Sequence, residues 1–186
     1  MGKIDEAFQN VRRAYFVPED FIVDADFDIP LPIGYEQTIS QPTTVRLMLE
    51  WLDAQPGEKI LDIGSGSGWT AALLSDIVGP KGSVFAVEII PELLEFGRNN
   101  CENFGIENAK FFLANKKSLG LPKYAPYDRI LVSASAQELP LELLDQLKIS
   151  GKLVIPVKSS IMEVTKKSES DYDSIVHPGF VFVPLV

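Results

Sequence analysis

Apolar residues recur along this chain with two different periods. Ile4, Ala7, Phe8 and Val11 fall at i, i+3, i+4 and i+7, which predicts a helix over residues 3–15. Val45, Met48, Leu49 and Leu52 repeat that spacing and predict a second helix with a buried stripe. Ser40 is placed to cap it, Pro42 suits its first turn, and Gln55-Pro56-Gly57 ends it. Between the two, residues 17–42 carry Pro18, Pro30, Pro32, Gly34 and Pro42 and read as a long irregular loop. A loop of that length is either a lid over a site or an arm that covers the sheet. From residue 59 onward, short apolar runs alternate with helical patterns. Residues 59–63, 84–88, 110–113, 128–134 and 151–157 read as strands; 68–78, 91–104 and 141–147 read as helices. This alternation predicts a parallel sheet with helices on both faces. Beyond Pro156 the helical pattern stops. Residues 161–167 and 180–185 read as an antiparallel pair joined by the acidic stretch 168–173. The expected architecture is a doubly wound α/β fold, with a seven-stranded, mostly parallel sheet and an antiparallel C-terminal pair. It forms one domain over residues 1–186: a helical arm and loop (1–57), a βαβ core (58–157) and the terminal strands (158–186).

The first strand of that core runs into Ile60-Leu-Asp-Ile-Gly-Ser-Gly-Ser-Gly68, with glycines at alternate positions 64, 66 and 68. Glycines there let the backbone pass close to a ligand where a side chain would clash. Glu88 ends the next strand, twenty residues after Gly68. It stands where an acidic residue accepts bonds from the ribose hydroxyls of a nucleoside cofactor. A dinucleotide fingerprint, G-x-G-x-x-G/A, fails from Gly64, whose third position is Trp69. It survives from Gly66, where that position is Ala71, but then leaves Gly64 unexplained. A D-x-G-x-G-x-G reading, Asp62 to Gly68, uses all three glycines.

Composition narrows the function. At 186 residues and 46% apolar content the chain is long enough for one sizeable core. A net charge of −9, with Arg12-Arg13, Lys116-Lys117 and Lys166-Lys167 as the only basic doublets, argues against nucleic acid as the main partner. No apolar run approaches the length that spans a bilayer, and Met1-Gly-Lys-Ile-Asp-Glu6 lacks the apolar core of a signal peptide. The single cysteine, Cys101, fits a reducing cytoplasm and shares an apolar helix face with Leu94, Gly97 and Phe104, which makes it a core residue. One Cys and one His do not make a metal site, and His177, in Val-His-Pro-Gly, reads as a turn residue.

The Asp62–Gly68 segment resembles motif I of the class I S-adenosylmethionine-dependent methyltransferases, in which the aspartate lies near the methionine end of the cofactor. Further stretches make the resemblance specific. They are Leu31-Pro-Ile-Gly-Tyr-Glu-Gln-Thr-Ile-Ser-Gln-Pro42, Ala125-Pro-Tyr-Asp-Arg-Ile130, Leu144-Asp-Gln-Leu-Lys148 running into Gly151-Lys-Leu-Val-Ile-Pro156, and Phe182-Val-Pro-Leu185. Together they look like the protein-L-isoaspartate O-methyltransferase family, over nearly the whole chain. That resemblance implies methyl transfer from S-adenosylmethionine to the α-carboxylate of isoaspartyl residues in damaged proteins or peptides. The ester then closes to a succinimide that can reopen as aspartate. It implies Asp62, Gly64, Ser65, Gly66, Gly68 and Glu88 at the cofactor. It also implies Ser40 donating to the incoming carboxylate, with Thr38 and Gln37 shaping the same loop, and a cytoplasmic monomer. Two stretches depart from the family pattern. Gly34-Tyr35-Glu36 stands where Gly-His-Gly is usual, and Asn115-Lys116-Lys117 where Gly-Asp-Gly supplies an acceptor for the adenine amino group. Lysine has no acceptor, so Asn115 is the expected replacement. The departures keep two other readings open, a same-fold methyltransferase for a different carboxylate and a non-catalytic cofactor- or peptide-binding descendant.

Overall fold

The computed structural model describes residues 2–115 and 117–185. The first helix, α1 (Lys3–Asn10), stops earlier than its apolar period suggests. Val11 closes it, and the chain turns through short stretches of 3-10 helix at Arg13–Phe16 and Glu19–Asp24. The expected irregular loop contains a hairpin of β1 (Leu31–Gly34) and β2 (Gln37–Ile39), paired antiparallel around Tyr35-Glu36. Both turn residues have positive φ, 53° and 59°. This is the two-residue hairpin turn that asparagine and glycine usually fill.

Helix α2 (Pro42–Leu52) buries Val45, Met48, Leu49 and Leu52 as the pattern predicts. Its N-cap, however, is Gln41 and not Ser40. The exposed amide of Thr43 is satisfied from outside the helix. Asp28 accepts the Thr43 amide (2.8 Å) and hydroxyl (2.7 Å) and the Gln41 side-chain amide (3.0 Å). A carboxylate at a helix N-terminus does the work of a cap.

The sheet follows in the expected alternation. Its elements are β3 (Lys59–Ile63), α3 (Trp69–Val78), β4 (Ser83–Glu88), α4 (Pro91–Phe104), β5 (Ala109–Leu113), β6 (Tyr127–Val132), α5 (Leu141–Asp145), β7 (Leu147–Val157), β8 (Ser160–Lys166) and β9 (Tyr172–Pro178). The strand order is β5-β4-β3-β6-β7-β8-β9, parallel through β7 and antiparallel after it. The chain steps outward from β3 to β5 and then returns to β6 on the other side of β3. Ligands bind outside the strand carboxyl ends at such a reversal.

Alternate residues of each strand feed two cores. Ile60, Val84, Ala86 and Leu131 pack with α1 to α4, and Leu61, Ile63, Phe85 and Val132 with α5 and the turn at Tyr124. The helices are therefore unevenly shared between the faces. The expected final strand is also displaced. The partner of β8 is the largely exposed β9, whereas Phe180 and Phe182 pack against the core without joining the sheet. His177 accordingly lies in β9 and not in a turn; its ring stacks on Trp51 at 3.8 Å.

Cys101 is 1% exposed, as its helix face predicts, and its thiol donates to the Gly68 carbonyl. Gly97 allows α4 to approach the glycine turn. A Cβ there would lie 2.6 Å from the Gly66 carbonyl oxygen. Helix propensity alone would favour Gly97→Ala by about 1 kcal/mol. The overpacking opposes this at about 1–3 kcal/mol, so the variant is expected to lose up to about 2 kcal/mol net. At about 2–4 °C per kcal/mol for a chain of this size, calorimetry should find a lower melting temperature. A rise would mean the helix and turn separate without strain.

Candidate active site

The glycine turn, the ends of four parallel strands and the β1–β2 hairpin enclose one cavity of about 630 Å³. Gly64, Ser65 and Gly66 wall it after β3, Glu88 at the end of β4, Asn115 after β5, and Ser133 and Ala134 after β6. Gln37, Thr38, Ile39 and Ser40 form the facing wall, and residues 183–185 close a side. The size is ordinary for a small-molecule site. Bonds across the sheet hold this end together: Ser133 N–H donates to the Ile63 carbonyl (2.9 Å) and Ala114 N–H to the Glu88 carbonyl (2.8 Å).

Glu88 is 6% exposed. Its Oε2 accepts the Gly66 amide at 2.9 Å, and its Oε1 accepts the Ile89 and Ile90 amides at 2.8 and 3.0 Å. A carboxylate has about four acceptor sites. Three are taken by backbone, so Glu88 braces the glycine turn and keeps about one site for a ligand hydroxyl.

Two residues of the motif stand behind the wall. Asp62 is fully buried and lies outside the cavity lining. Its Oδ2 accepts the hydroxyl of Thr70, which does line the cavity, at 2.8 Å. Its Oδ1 has no hydrogen-bond partner among the described residues, and neither has the buried Ser65 hydroxyl. Burial pushes the Asp62 pKa up to about 7; the Thr70 bond opposes this and the nearby Glu88 charge adds to it. Gly68 also lies outside the lining. With φ at 85°, it brings the chain so close to α4 that a Cβ would sit 2.6 Å from the Gly97 carbonyl oxygen. Its role is helix packing. Gly66 faces the hairpin, where a Cβ would lie 3.1 Å from Ile33 Cδ1.

Asn115 is exposed at the cavity edge, and its Oδ1 accepts the Lys117 amide at 2.9 Å. Lys116, expected to be unable to replace the usual acceptor, lies outside the described residues. Tyr35 and Glu36 are exposed at the hairpin tip and neither lines the cavity, so the carboxylate of Glu36 does not oppose an anionic ligand inside it. The pattern gave no notice of Thr70, Ser118, Ser133 or Glu142 on the wall. Of these, Thr70 was findable, in the first turn of the helix that follows the glycines. Gln146 was not. It is buried under the cavity rim, accepts the Leu121 amide and donates to the Leu119 carbonyl, both at 2.9 Å.

Comparison with known proteins bears on this geometry. The family model described as protein-L-isoaspartate(D-aspartate) O-methyltransferase matches residues 1–186. A protein-L-isoaspartate O-methyltransferase of Methanopyrus kandleri is 45% identical over 100% of this chain and 84% of its own length. One of Pyrococcus horikoshii is 43% identical over 99% of this chain and 84% of its own. A solved protein-L-isoaspartate O-methyltransferase superposes with a TM-score of 0.88 at 29% identity over all of this chain, which spans 62% of that longer one. A beta-aspartate methyltransferase from Plasmodium falciparum, crystallised with S-adenosyl-L-homocysteine, superposes with a TM-score of 0.83 at 26% identity, over 100% of this chain and 91% of its own.

Proposed function

This chain belongs to the protein-L-isoaspartate(D-aspartate) O-methyltransferase family, and we propose on that premise that it methylates the α-carboxylate of L-isoaspartyl residues in damaged proteins and peptides. The observation that carries the reading is one cavity with two unlike walls. The glycine turn and Glu88 stand on one side, and the Gln37–Ile39 strand with Ser40 on the other.

The residues present fit S-adenosylmethionine. Gly64 and Gly66 leave room for close approach, Glu88 keeps an acceptor site, and the Ser65 hydroxyl on the cavity wall is a buried polar atom without a partner among the described residues. When bound, the cofactor supplies an electrophilic methyl group on a sulfonium. Glu88 would accept from a ribose hydroxyl, Thr70, backed by Asp62, would meet the amino-acid end, and Asn115 would accept from the adenine amino group. Asn115→Ala should weaken cofactor binding by about twofold to tenfold, as loss of one hydrogen bond of about 0.5–1.5 kcal/mol implies. A titration showing unchanged affinity would assign the adenine contact elsewhere, Ser118 being the next side chain on that wall.

The acceptor needs orientation more than activation. A carboxylate with pKa near 4 is already ionised at neutral pH, and no histidine lines the cavity among the described residues. The chain's task is to hold one carboxylate oxygen in line with the methyl group and keep water away. Ser40 donates to that carboxylate, with Thr38 and Gln37 beside it. Ser40→Ala should cut transfer by about tenfold to a hundredfold, for a bond to a charged group of about 1.5–3 kcal/mol, and leave cofactor affinity unchanged. Because Gln41 and not Ser40 is the N-cap, stability should change by less than about 0.5 kcal/mol. Equal turnover in the two proteins would remove Ser40 from the site.

The decisive assay compares an isoaspartyl peptide with its aspartyl twin, using cofactor labelled in the methyl group. Label on the isoaspartyl peptide alone is expected. Equal labelling of both would point to another carboxylate, and cofactor binding without labelling to a non-catalytic descendant. The reading includes action as a monomer in a reducing compartment, in keeping with a single buried cysteine. No helix among the described residues is long and apolar enough to cross a membrane.

A further inference from the structure

Arg13 is the most heavily bonded side chain outside the cavity. It is 5% exposed, in the turn after α1, far in sequence from every motif. Its Nη1 donates to the carbonyls of Ala25 (3.1 Å) and Phe27 (3.3 Å), and its Nη2 to those of Ile29 (2.8 Å), Ile39 (3.3 Å) and Ser40 (3.1 Å). Residues 25–29 lead out to the β1–β2 hairpin, and 39 and 40 bring the chain back. One guanidinium therefore ties the outgoing and returning ends of the excursion together. It also lies over the ring of Trp69, the first residue of α3, with Cζ 5.4 Å from the centroid. The same side chain thus fixes the excursion against the helix that follows the glycine turn. The charge persists at neutral pH. Burial lowers the Arg13 pKa to about 10, and the charge of Asp28 opposes that fall. Asp28 itself ties the outgoing end to the first turn of α2 through Thr43 and Gln41.

We propose that Arg13 is the positioning residue of the methyl-acceptor wall: it sets where Ile39 and Ser40 stand relative to the cofactor half of the cavity. The inference rests on the reading that residues 37–40 meet the acceptor. Arg13 touches no ligand; it acts through the backbone carbonyls of Ile39 and Ser40. The planar fork is what the role requires. Lysine carries three donors on one nitrogen and cannot reach five carbonyls spread over both ends. Displacing a reacting group by about 1 Å can cost roughly a hundredfold in rate. A slack excursion therefore shows in turnover before it shows in folding.

The test uses the whole protein as wild type, Arg13→Lys and Asp28→Ala. Each is measured for kcat and KM on an isoaspartyl peptide, for cofactor affinity by calorimetry, and for amide hydrogen exchange by mass spectrometry. Arg13→Lys is expected to lower kcat by about tenfold or more. Cofactor Kd should stay within about twofold, and faster exchange should be confined to residues 25–40. A merely structural role would instead lower cofactor-binding capacity and turnover together, with faster exchange throughout the sheet, and that result overturns the proposal. So does a folded Arg13→Lys with wild-type kcat. If Arg13→Lys does not fold, Asp28→Ala, which cuts the same excursion from its exposed side, carries the test. It should show the same split, with a loss of kcat of about threefold; an unchanged kcat and unchanged exchange in 25–40 would overturn the proposal. If the wild type methylates no isoaspartyl peptide, the functional reading fails by itself. Exchange in 25–40 then still decides whether Arg13 holds this wall.

Discussion

Asp62→Asn is expected to be more stable than the wild type at about pH 8 and to lose that advantage toward about pH 4. In the folded chain burial holds the Asp62 carboxyl near pKa 7, against an ordinary 3.8. Between those values the folded state keeps the proton and the unfolded state has released it. Stability contributed by the group is full below about 3.8, declines as pH rises, and is gone above about 7. A difference of about 3 pKa units corresponds to on the order of 4 kcal/mol, at 1.36 kcal/mol per unit. Asparagine carries no titrating proton and its carbonyl can keep the Thr70 hydroxyl bond. The difference in unfolding free energy between variant and wild type should therefore grow through that window and level off above it. Denaturant unfolding of both proteins across the range measures it. A constant difference at every pH would show that Asp62 titrates normally, with water reaching its Oδ1.

Glu88→Ala is expected to weaken S-adenosylmethionine binding by about tenfold to a hundredfold. A charge-assisted contact from a buried carboxylate is worth about 1.5–3 kcal/mol, and each 1.4 kcal/mol is a decade of affinity. The substitution also frees the amides of Gly66, Ile89 and Ile90, which the carboxylate now satisfies. Part of the loss would thus come from a glycine turn that no longer holds its shape. Glu88→Gln separates the two contributions, since its single oxygen can keep some of the backbone bonds without the charge. Calorimetry on the folded variants decides: affinity equal to wild type in Glu88→Ala would take Glu88 out of the site. The two acids are linked, because the Glu88 charge helps hold Asp62 protonated. In Glu88→Ala the Asp62 transition should accordingly move to lower pH.

The parallel strands were legible because they are buried on both faces. Ile60-Leu61 and Val84-Phe85-Ala86-Val87 read as continuous apolar runs for that reason. The hairpin at residues 31–39 escaped because its strands hold four and three residues, and its turn uses Tyr35-Glu36 where a recognisable signal would be Asn-Gly. Strand β9 escaped for the opposite reason. It is an edge strand with most of its residues exposed, while Phe180 and Phe182 alternate like a strand yet serve only as packing. Motif spacing identified the right neighbourhood for Asp62, Gly68 and Glu88. It could not tell a residue on the wall from one behind it, since that depends on how closely α3 and α4 approach. In the sequence Arg13 stood out only as half of a basic doublet. Nothing local announces five carbonyls that come from residues 12 to 27 positions downstream.

Strand β9 bears on the company this protein keeps. Damaged polypeptides are partly unfolded, and an unfolded segment offers unpaired backbone that can extend any free sheet edge. Here the edge strand is seven residues long, enters through Asp171 and Asp173, and ends in Pro178, which has no N–H to give. Asp173 is engaged by Lys167 at the start of the strand. The exposed Ile175 and Val176 are thus bounded on one side by acid and on the other by a proline and Gly179. A seam guarded at both ends in this way is a poor template for growth. It discourages the sheet from recruiting the molecules that come to the cavity for repair.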